Sequence, residues 1–223
     1  MIRAIALDID GTLTDDTRRI HLGAVDALRD LEGRGVPIVM ATGNILCLTE
    51  AIAIMTGASG PVIAENGGII KDRRRDETLI YGDITEPQRA FDHLKKHYKI
   101  KKLAHSELRK TEVAIYRTVA VEDLARALGD YDVELVDTKF AIHIKKKGIN
   151  KGQALVEVAE LMGLDVEDFA AVGDSASDRE MLEVAGYAVS VGEGGLEDVS
   201  DYITQNRFGD GGQEALEKIA SLV

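Results

Sequence analysis

Cysteine is almost missing from this chain. Cys47 stands alone, which excludes an internal disulfide framework and suits a reducing cytoplasm. No apolar run approaches the roughly 20 residues that span a bilayer. The first apolar stretch, residues 2–7, ends at Asp8 and is too short for a signal peptide. Basic residues are outnumbered, 27 Lys and Arg against 39 Asp and Glu, and the net charge of −12 argues against a whole-surface binder of nucleic acid or anionic membrane. Only 3 prolines, with 22 glycines, 45% hydrophobic and 30% charged residues, exclude disordered, collagenous and low-complexity classes. What remains is a globular chain of 223 residues, enough for one full-sized core and a small second unit.

The charge is unevenly spread. Residues 84–147 hold 14 basic and 10 acidic residues, and the rest of the chain holds 13 and 29. A basic middle within an acidic surround suggests two units that meet over a charged ligand, or simply uneven solvated faces.

Hydrophobic patterning predicts strands over residues 2–7, 36–41 and 61–64, with helices over 21–34 and 45–55 between them. Asn66-Gly67-Gly68 marks a turn, and residues 69–70 and 78–81 read as a hairpin. Continuous apolar strands alternating with helices predict an α/β fold, a doubly wound parallel sheet covered on both faces. The rhythm changes after Gly82. Helices marked by Phe91, Leu94 and Tyr98 and by Val121, Leu124 and Leu128 alternate with strands over 112–117, 133–137 and 140–145, predicting a small α+β unit. From Asn150 the first pattern resumes, with strands over 169–172 and 187–191 and helices after Asn150, over 176–185 and near Leu216. The expected organisation is a Rossmann-like core, residues 1–82 and 149–223, with an inserted α+β cap, residues 83–148.

In open parallel sheets, ligands sit beyond the carboxyl ends of the strands. Asp8-Ile9-Asp10-Gly11 follows one such strand, and two carboxylates at i and i+2 converge if the chain turns at Gly11. Gly173-Asp174-Ser175 with Asp178 brings two more acids to another strand end. Four crowded carboxylates repel one another, and a hard divalent cation with oxygen ligands, Mg²⁺ above all, removes the conflict. Thr42-Gly43-Asn44 offers a hydroxyl and backbone N–H groups suited to phosphate oxygens. Asn150 is placed to cap a helix, with Gln153 at the reciprocal position and Gly163 as its stop. Lys151 in the first turn opposes the helix dipole, which is expected where an anion occupies the helix start. Each signal alone has an ordinary reading. Asp-x-Asp-Gly is commonly an acidic turn, Asp178 a first-turn acid, Lys151 a surface lysine, Arg73-Arg74-Arg75 a solvated loop and Cys47 a packing residue of a helix.

Taken together and in order, Asp8-Ile9-Asp10-Gly11-Thr12-Leu13, Ala41-Thr42-Gly43, Lys151-Gly152-x-Ala154-Leu155 and Gly173-Asp174-Ser175-x-x-Asp178-x-x-Met181-Leu182 resemble the haloacid dehalogenase superfamily of phosphatases. The branch is the one with a large α/β cap after the third core strand (Cof-type). The match spans the chain, and the short cap looks most like the archaeal phosphoglycolate phosphatases. One departure is Asn44, where relatives often carry arginine, which puts a cationic contact there in doubt.

The resemblance implies a Mg²⁺-dependent phosphomonoester hydrolase acting through an aspartyl-phosphate, with 2-phosphoglycolate as the substrate. Asp8 is then the nucleophile and Asp10 the general acid and base. Thr42, Gly43 and Lys151 hold the phosphate, and Asp8, Asp174, Asp178 and the main-chain carbonyl of Asp10 serve the metal. In the last cap strand, Phe140, Ile142 and Ile144 should cover the cap helices. Ala141, His143 and Lys145, with Tyr116 from the strand near Val113, should face the active site, and His143 or Lys145 is expected to bind the substrate carboxylate. A solvated strand face is the alternative. Other activities that fit the same residues are a sugar-phosphate or mannosyl-phosphoglycerate phosphatase and a phosphohexomutase. A phospho-aspartate receiver module is the non-enzymatic reading, and it sits poorly with an inserted cap and a second acid two residues after Asp8. The partner implied is a small phosphorylated metabolite, with neither nucleic acid nor membrane, and a homodimer is compatible.

Overall fold

The computed structural model describes residues 1–138 and 140–223. The chain divides into two compact units, Met1–Thr78 with Asn150–Val223, and Leu79–Ile149. In chain order the elements are β1 (Ala4–Leu7), α1 (Leu22–Gly33), β2 (Ile38–Ala41), α2 (Leu46–Thr56), β3 (Val62–Ala64), β4 (Ile69–Asp72), β5 (Glu77–Ile80), α3 (Thr85–His97), β6 (Glu112–Ile115), α4 (Val121–Ala127), β7 (Val133–Asp137) and β8 (Ile142–Lys146). They continue with α5 (Lys151–Met162), β9 (Phe169–Gly173), α6 (Arg179–Val184), β10 (Tyr187–Ser190), β11 (Tyr202–Ile203) and α7 (Phe208–Ala220). Among the described residues no helix is long and apolar enough to cross a membrane.

The larger sheet runs β11-β10-β9-β1-β2-β3-β4-β5. Its strands from β11 to β3 are parallel, and β4 turns back antiparallel to β3. One face carries Ile5, Leu7, Ile38, Met40, Val172 and Val189 against Leu28 and Leu31 of α1 and Leu216 and Ile219 of α7. Each such side chain, fully buried, contributes about 1.5–3 kcal/mol. The alternate positions are small, Ala4, Ala6, Ala171 and Ala188, all buried, and α5 and α6 pack on β3, β4, β9 and β10. In the second unit, β6, β8 and β7 form an antiparallel sheet in that order. Ile142 and Ile144 of β8 join Phe91 and Leu94 of α3 and Leu124 of α4 in its core.

Several boundaries differ from the patterning for physical reasons. The second strand begins at Ile38 rather than Val36 because Pro37 has no N–H to donate and Ile38 N donates to Glu32 Oε1 (2.7 Å). The strand at 140–145 starts late because Thr138 and Ala141 close a local turn (Thr138 N to Ala141 O, 2.9 Å). The helix expected over 176–185 opens as a 3-10 turn, Ala176–Asp178. Two-residue β11 is too short for its pattern to show. Cys47 is exposed on α2 rather than packed. Arg73 is not simply solvated, since its guanidinium donates to the carbonyls of Ala58 and Gly60.

The end of α5 is set by close approach. Asn150 caps it, accepting from Gln153 N at 2.8 Å, and Gly163 ends it in the left-handed region (φ 69°). A Cβ on Gly152 would lie 2.3 Å from the Glu180 carbonyl oxygen of α6, so only hydrogen fits there. Gly152→Ala should therefore destabilise by about 1–3 kcal/mol through overpacking, although alanine favours helices by about 1 kcal/mol over glycine. Urea unfolding measures it, and wild-type stability in the variant would mean the two helices stand further apart.

Candidate active site

β1 is the switch point of the larger sheet. The chain leaves it toward β2 on one side, while β9, its neighbour on the other, leads to β10. Ligands bind in the crevice such a reversal opens. Leu7 pairs with Val172, so Asp8 and Asp174, each following its strand directly, emerge beside one another. Asp8 N extends the ladder to Val172 O (3.0 Å), and Leu13 N closes back on Ile9 O (2.8 Å). That turn needs glycine at 11. Its φ is +93°, and a Cβ there would sit 2.4 Å from Asp174 Oδ2.

Lys151, the first residue of α5, is 1% exposed, not a surface lysine. Its Nζ donates to Asp8 Oδ1 and to Asp178 Oδ1, both at 2.6 Å. Asp178 is fully buried, and its Oδ2 accepts from Asp174 N, Ser175 N and Ser175 Oγ, each at 3.2 Å. Both oxygens of Asp178 are thus engaged, which suits an orienting part better than direct ligation. The ligand atoms of Asp8, Asp174 and Asp178 lie within 4.8 Å of one another, all three residues buried.

Burial raises the Asp8 carboxyl well above its ordinary value, and Asp178 and Asp174 add to this against the pull of Lys151. Burial works against the Lys151 charge, but Asp178 and Asp8 hold the ammonium above its ordinary range. Asp8 Oδ2 is buried without a hydrogen-bond partner. The clustered carboxylate oxygens and the orphaned Asp8 Oδ2 are hard ligands that fit a small divalent cation.

Asp10 stands at the edge of this cluster. Its Oδ1 accepts from Arg18 Nε (2.7 Å) and its Oδ2 from Asn44 Nδ2 (2.6 Å). Thr42 follows β2 and is buried, and its Oγ1 accepts from Asn44 N (3.1 Å) and Asn44 Nδ2 (3.0 Å). With both acceptor positions filled, the hydroxyl proton remains to donate. Gly43 lies close to Asn66, whose amide a Cβ at 43 would meet at 2.9 Å. Arg18 escaped the sequence reading, because nothing in Asp15-Asp16-Thr17-Arg18-Arg19 separates an inward arginine from a solvated one.

In the second unit, His143 and Lys145 share the face of β8 opposite the helices but are buried, each 4% exposed, so this is not a solvated strand face. His143 Nδ1 lies 2.7 Å from Glu112 Oε1, which also pairs with Arg109. Lys145 Nζ donates to Glu134 Oε1 and the Ile149 carbonyl. Tyr116 is exposed just past β6.

A profile of the haloacid dehalogenase-like hydrolases matches residues 5–122 and 122–212. The chain is 45% identical over 219 residues to the phosphoglycolate phosphatase of Methanothermobacter thermautotrophicus, covering 97% of this chain and 98% of that protein. It is also 45% identical over 224 residues to the phosphoglycolate phosphatase of Methanosarcina mazei, covering 98% and 97%. The solved structure of Thermoplasma acidophilum 0175 matches the fold with a TM-score of 0.91 at 22% identity, covering 99% of both chains. This chain belongs to the haloacid dehalogenase-like hydrolase family.

Lys151→Met strips the cluster of the ammonium that Asp8 and Asp178 share. Breaking a buried pair costs about 3–5 kcal/mol. Between its ordinary value and the raised one, the Asp8 carboxyl binds a proton in the folded chain that the unfolded chain has lost, so stability falls as pH rises. The deficit of the variant, measured by urea unfolding in EDTA, should grow from pH 4 to pH 8. A pH-independent deficit would contradict the charge assignment.

Proposed function

We propose that this hydrolase is a Mg²⁺-dependent phosphomonoesterase that works through an aspartyl-phosphate on Asp8, with 2-phosphoglycolate as its substrate and glycolate and phosphate as products. The observation that carries the reading is Asp8 itself: one oxygen held by Lys151 at 2.6 Å, the other buried without a hydrogen bond, and Asp174 alongside. The names of the 45% identical relatives support the choice of substrate.

In the first step an Asp8 oxygen attacks phosphorus and the ester P–O bond breaks. The departing alkoxide takes a proton from the Asp10 carboxyl, which divides a difficult hydrolysis into two displacements. In the second step water attacks the same phosphorus, gives its proton to Asp10 and releases phosphate from Asp8. The Thr42 hydroxyl, the Gly43 N–H and the Lys151 ammonium hold the equatorial oxygens as charge develops on them. Asp8, Asp174 and the Asp10 carbonyl would hold Mg²⁺, with Asp178 orienting the set. When bound, the ion neutralises charge on the phosphoryl group.

In this reading the second unit sets specificity, with His143, Lys145 and Tyr116 as the residues that select the substrate.

Phosphate release from a panel of phosphorylated metabolites should be greatest with 2-phosphoglycolate and should stop when EDTA removes Mg²⁺. Asp8→Asn should abolish release on every ester while the fold persists by circular dichroism, and undiminished release would refute the nucleophile. His143→Ala and Lys145→Ala should each raise KM for 2-phosphoglycolate about tenfold or more, the scale of one charge-assisted hydrogen bond. KM for 4-nitrophenyl phosphate should move little. Equal effects on the two esters would remove the specificity assignment.

A further inference from the structure

The hairpin that follows the first acidic turn is built with unusual care for an exposed loop. Asp15 Oδ1 accepts from Thr17 N (2.8 Å), Thr17 Oγ1 (2.7 Å) and Arg19 N (2.9 Å). Asp15 N donates to Arg19 O (2.8 Å) and Arg18 N to Asp15 O (3.0 Å), while Thr14 and Ile20 bridge at its base. These bonds hold Arg18 at φ +66°, a conformation that costs an L-residue roughly 1–2 kcal/mol. Glycine or asparagine would occupy that turn with less strain, so the side chain is what the strain accompanies.

The Arg18 side chain closes a ring. Its Nε donates to Asp10 Oδ1 (2.7 Å) and its Nη2 to Asn44 Oδ1 (3.2 Å), while Asn44 Nδ2 donates to Asp10 Oδ2 (2.6 Å). The Asn44 amide can take only this orientation, since flipping it would set its NH₂ against the guanidinium. Asn44 Nδ2 also reaches Thr42 Oγ1 (3.0 Å), which ties the ring to the strand end of β2. Both oxygens of Asp10 are fixed by groups from two other segments, and each oxygen keeps a lone pair for the proton that moves.

We infer that Arg18 is a positioning residue for Asp10, acting with Asn44 to hold that carboxyl where it can protonate a poor leaving group. The inference rests on the acid role given to Asp10 above. Proton transfer demands placement: a misplacement of about 1 Å costs on the order of a hundredfold, and the whole acid contribution is roughly 10²–10⁴. An activated aryl ester leaves without a proton and needs no such placement.

Three probes separate the possibilities: 2-phosphoglycolate, glycerol 2-phosphate (an alkyl ester with no carboxylate) and 4-nitrophenyl phosphate. The readout is kcat/KM, which covers the step that expels the alcohol. Arg18→Ala should lose about 10- to 100-fold on both alkyl esters and less than about threefold on the aryl ester. Inhibition by inorganic phosphate should be unchanged, and Arg18→Lys should recover part of the loss. An equal loss on all three esters, or weakened inhibition by phosphate, would overturn the inference. So would a loss confined to 2-phosphoglycolate, which would make Arg18 a carboxylate contact. Crystal structures of the wild-type protein and of Arg18→Ala decide the point without turnover. Asp10 should leave its single position in the variant while Lys151 stays on Asp8, and an unmoved Asp10 would sink the idea. A wild-type protein inert toward all three esters would refute the phosphatase reading, and the crystal comparison would still judge the ring.

Discussion

A buried ammonium shared by two carboxylates is the contact on which the larger unit depends. Lys151, Asp8 and Asp178 are each at most 4% exposed. Desolvating three such charges is expensive, and their attraction offsets the cost only when geometry is good and the remaining lone pairs are satisfied. The sequence around them reads as a set of devices toward that end. Asn150 fixes the start of α5, and Gly152 lets α5 approach α6. The loop after β9 spends two N–H groups and a hydroxyl on Asp178. The arrangement is held before any substrate arrives, which is what electrostatic assistance to phosphoryl transfer requires.

Charge is sorted along the strand axis as well. In a parallel α/β unit the helix N-termini gather at the carboxyl edge of the sheet and the C-termini at the opposite edge. Asp8, Asp174 and Asp178 lie at the first edge. Arginines serve the second, where free carbonyls end the helices. Arg29 donates to the carbonyls of Met55 and Thr56 at the end of α2 (3.1 and 3.0 Å), and Arg34 to that of Ala220 at the end of α7 (2.9 Å). Arg75 reaches Leu161 of α5 (3.4 Å), and Arg73 the carbonyls just after α2. Arg73 and Arg75 of the Arg73-Arg74-Arg75 run thus engage main-chain carbonyls rather than standing simply solvated.

What could be read in advance follows from what periodicity and spacing encode. Strands such as β1 and β9, buried on both faces, announce themselves as apolar runs, and the acids after them announce the edge that matters. The pairing of Asp8 with Asp174 needed only the doubly wound topology, which fixes their adjacency across more than a hundred and fifty intervening residues. Burial of a titratable group is harder to foresee. A helix-start lysine has the same sequence whether it is solvated or, like Lys151, sealed between two acids. Likewise the strand pattern of β8 separates its two faces correctly but does not reveal that His143 and Lys145 are buried with acidic partners. Two-residue β11 and the 3-10 turn before α6 fall below the length at which a pattern exists.

Arg18 and Asn44 show why site residues off the regular elements resist such reading. Position 44 holds asparagine where relatives often carry arginine, which put a cationic contact at that position in doubt. Space, not sequence position, supplies it: a guanidinium arrives from the hairpin at 15–19, and the amide at 44 is what can bridge it to Asp10. The two positions are thus linked through one acid. The backbone strain at Arg18 belongs to the same arrangement, since only a tight hairpin pinned by Asp15 turns that side chain back over the strand ends. A polar loop that spends this much hydrogen bonding on the conformation of a single residue is shaped by what that residue must reach.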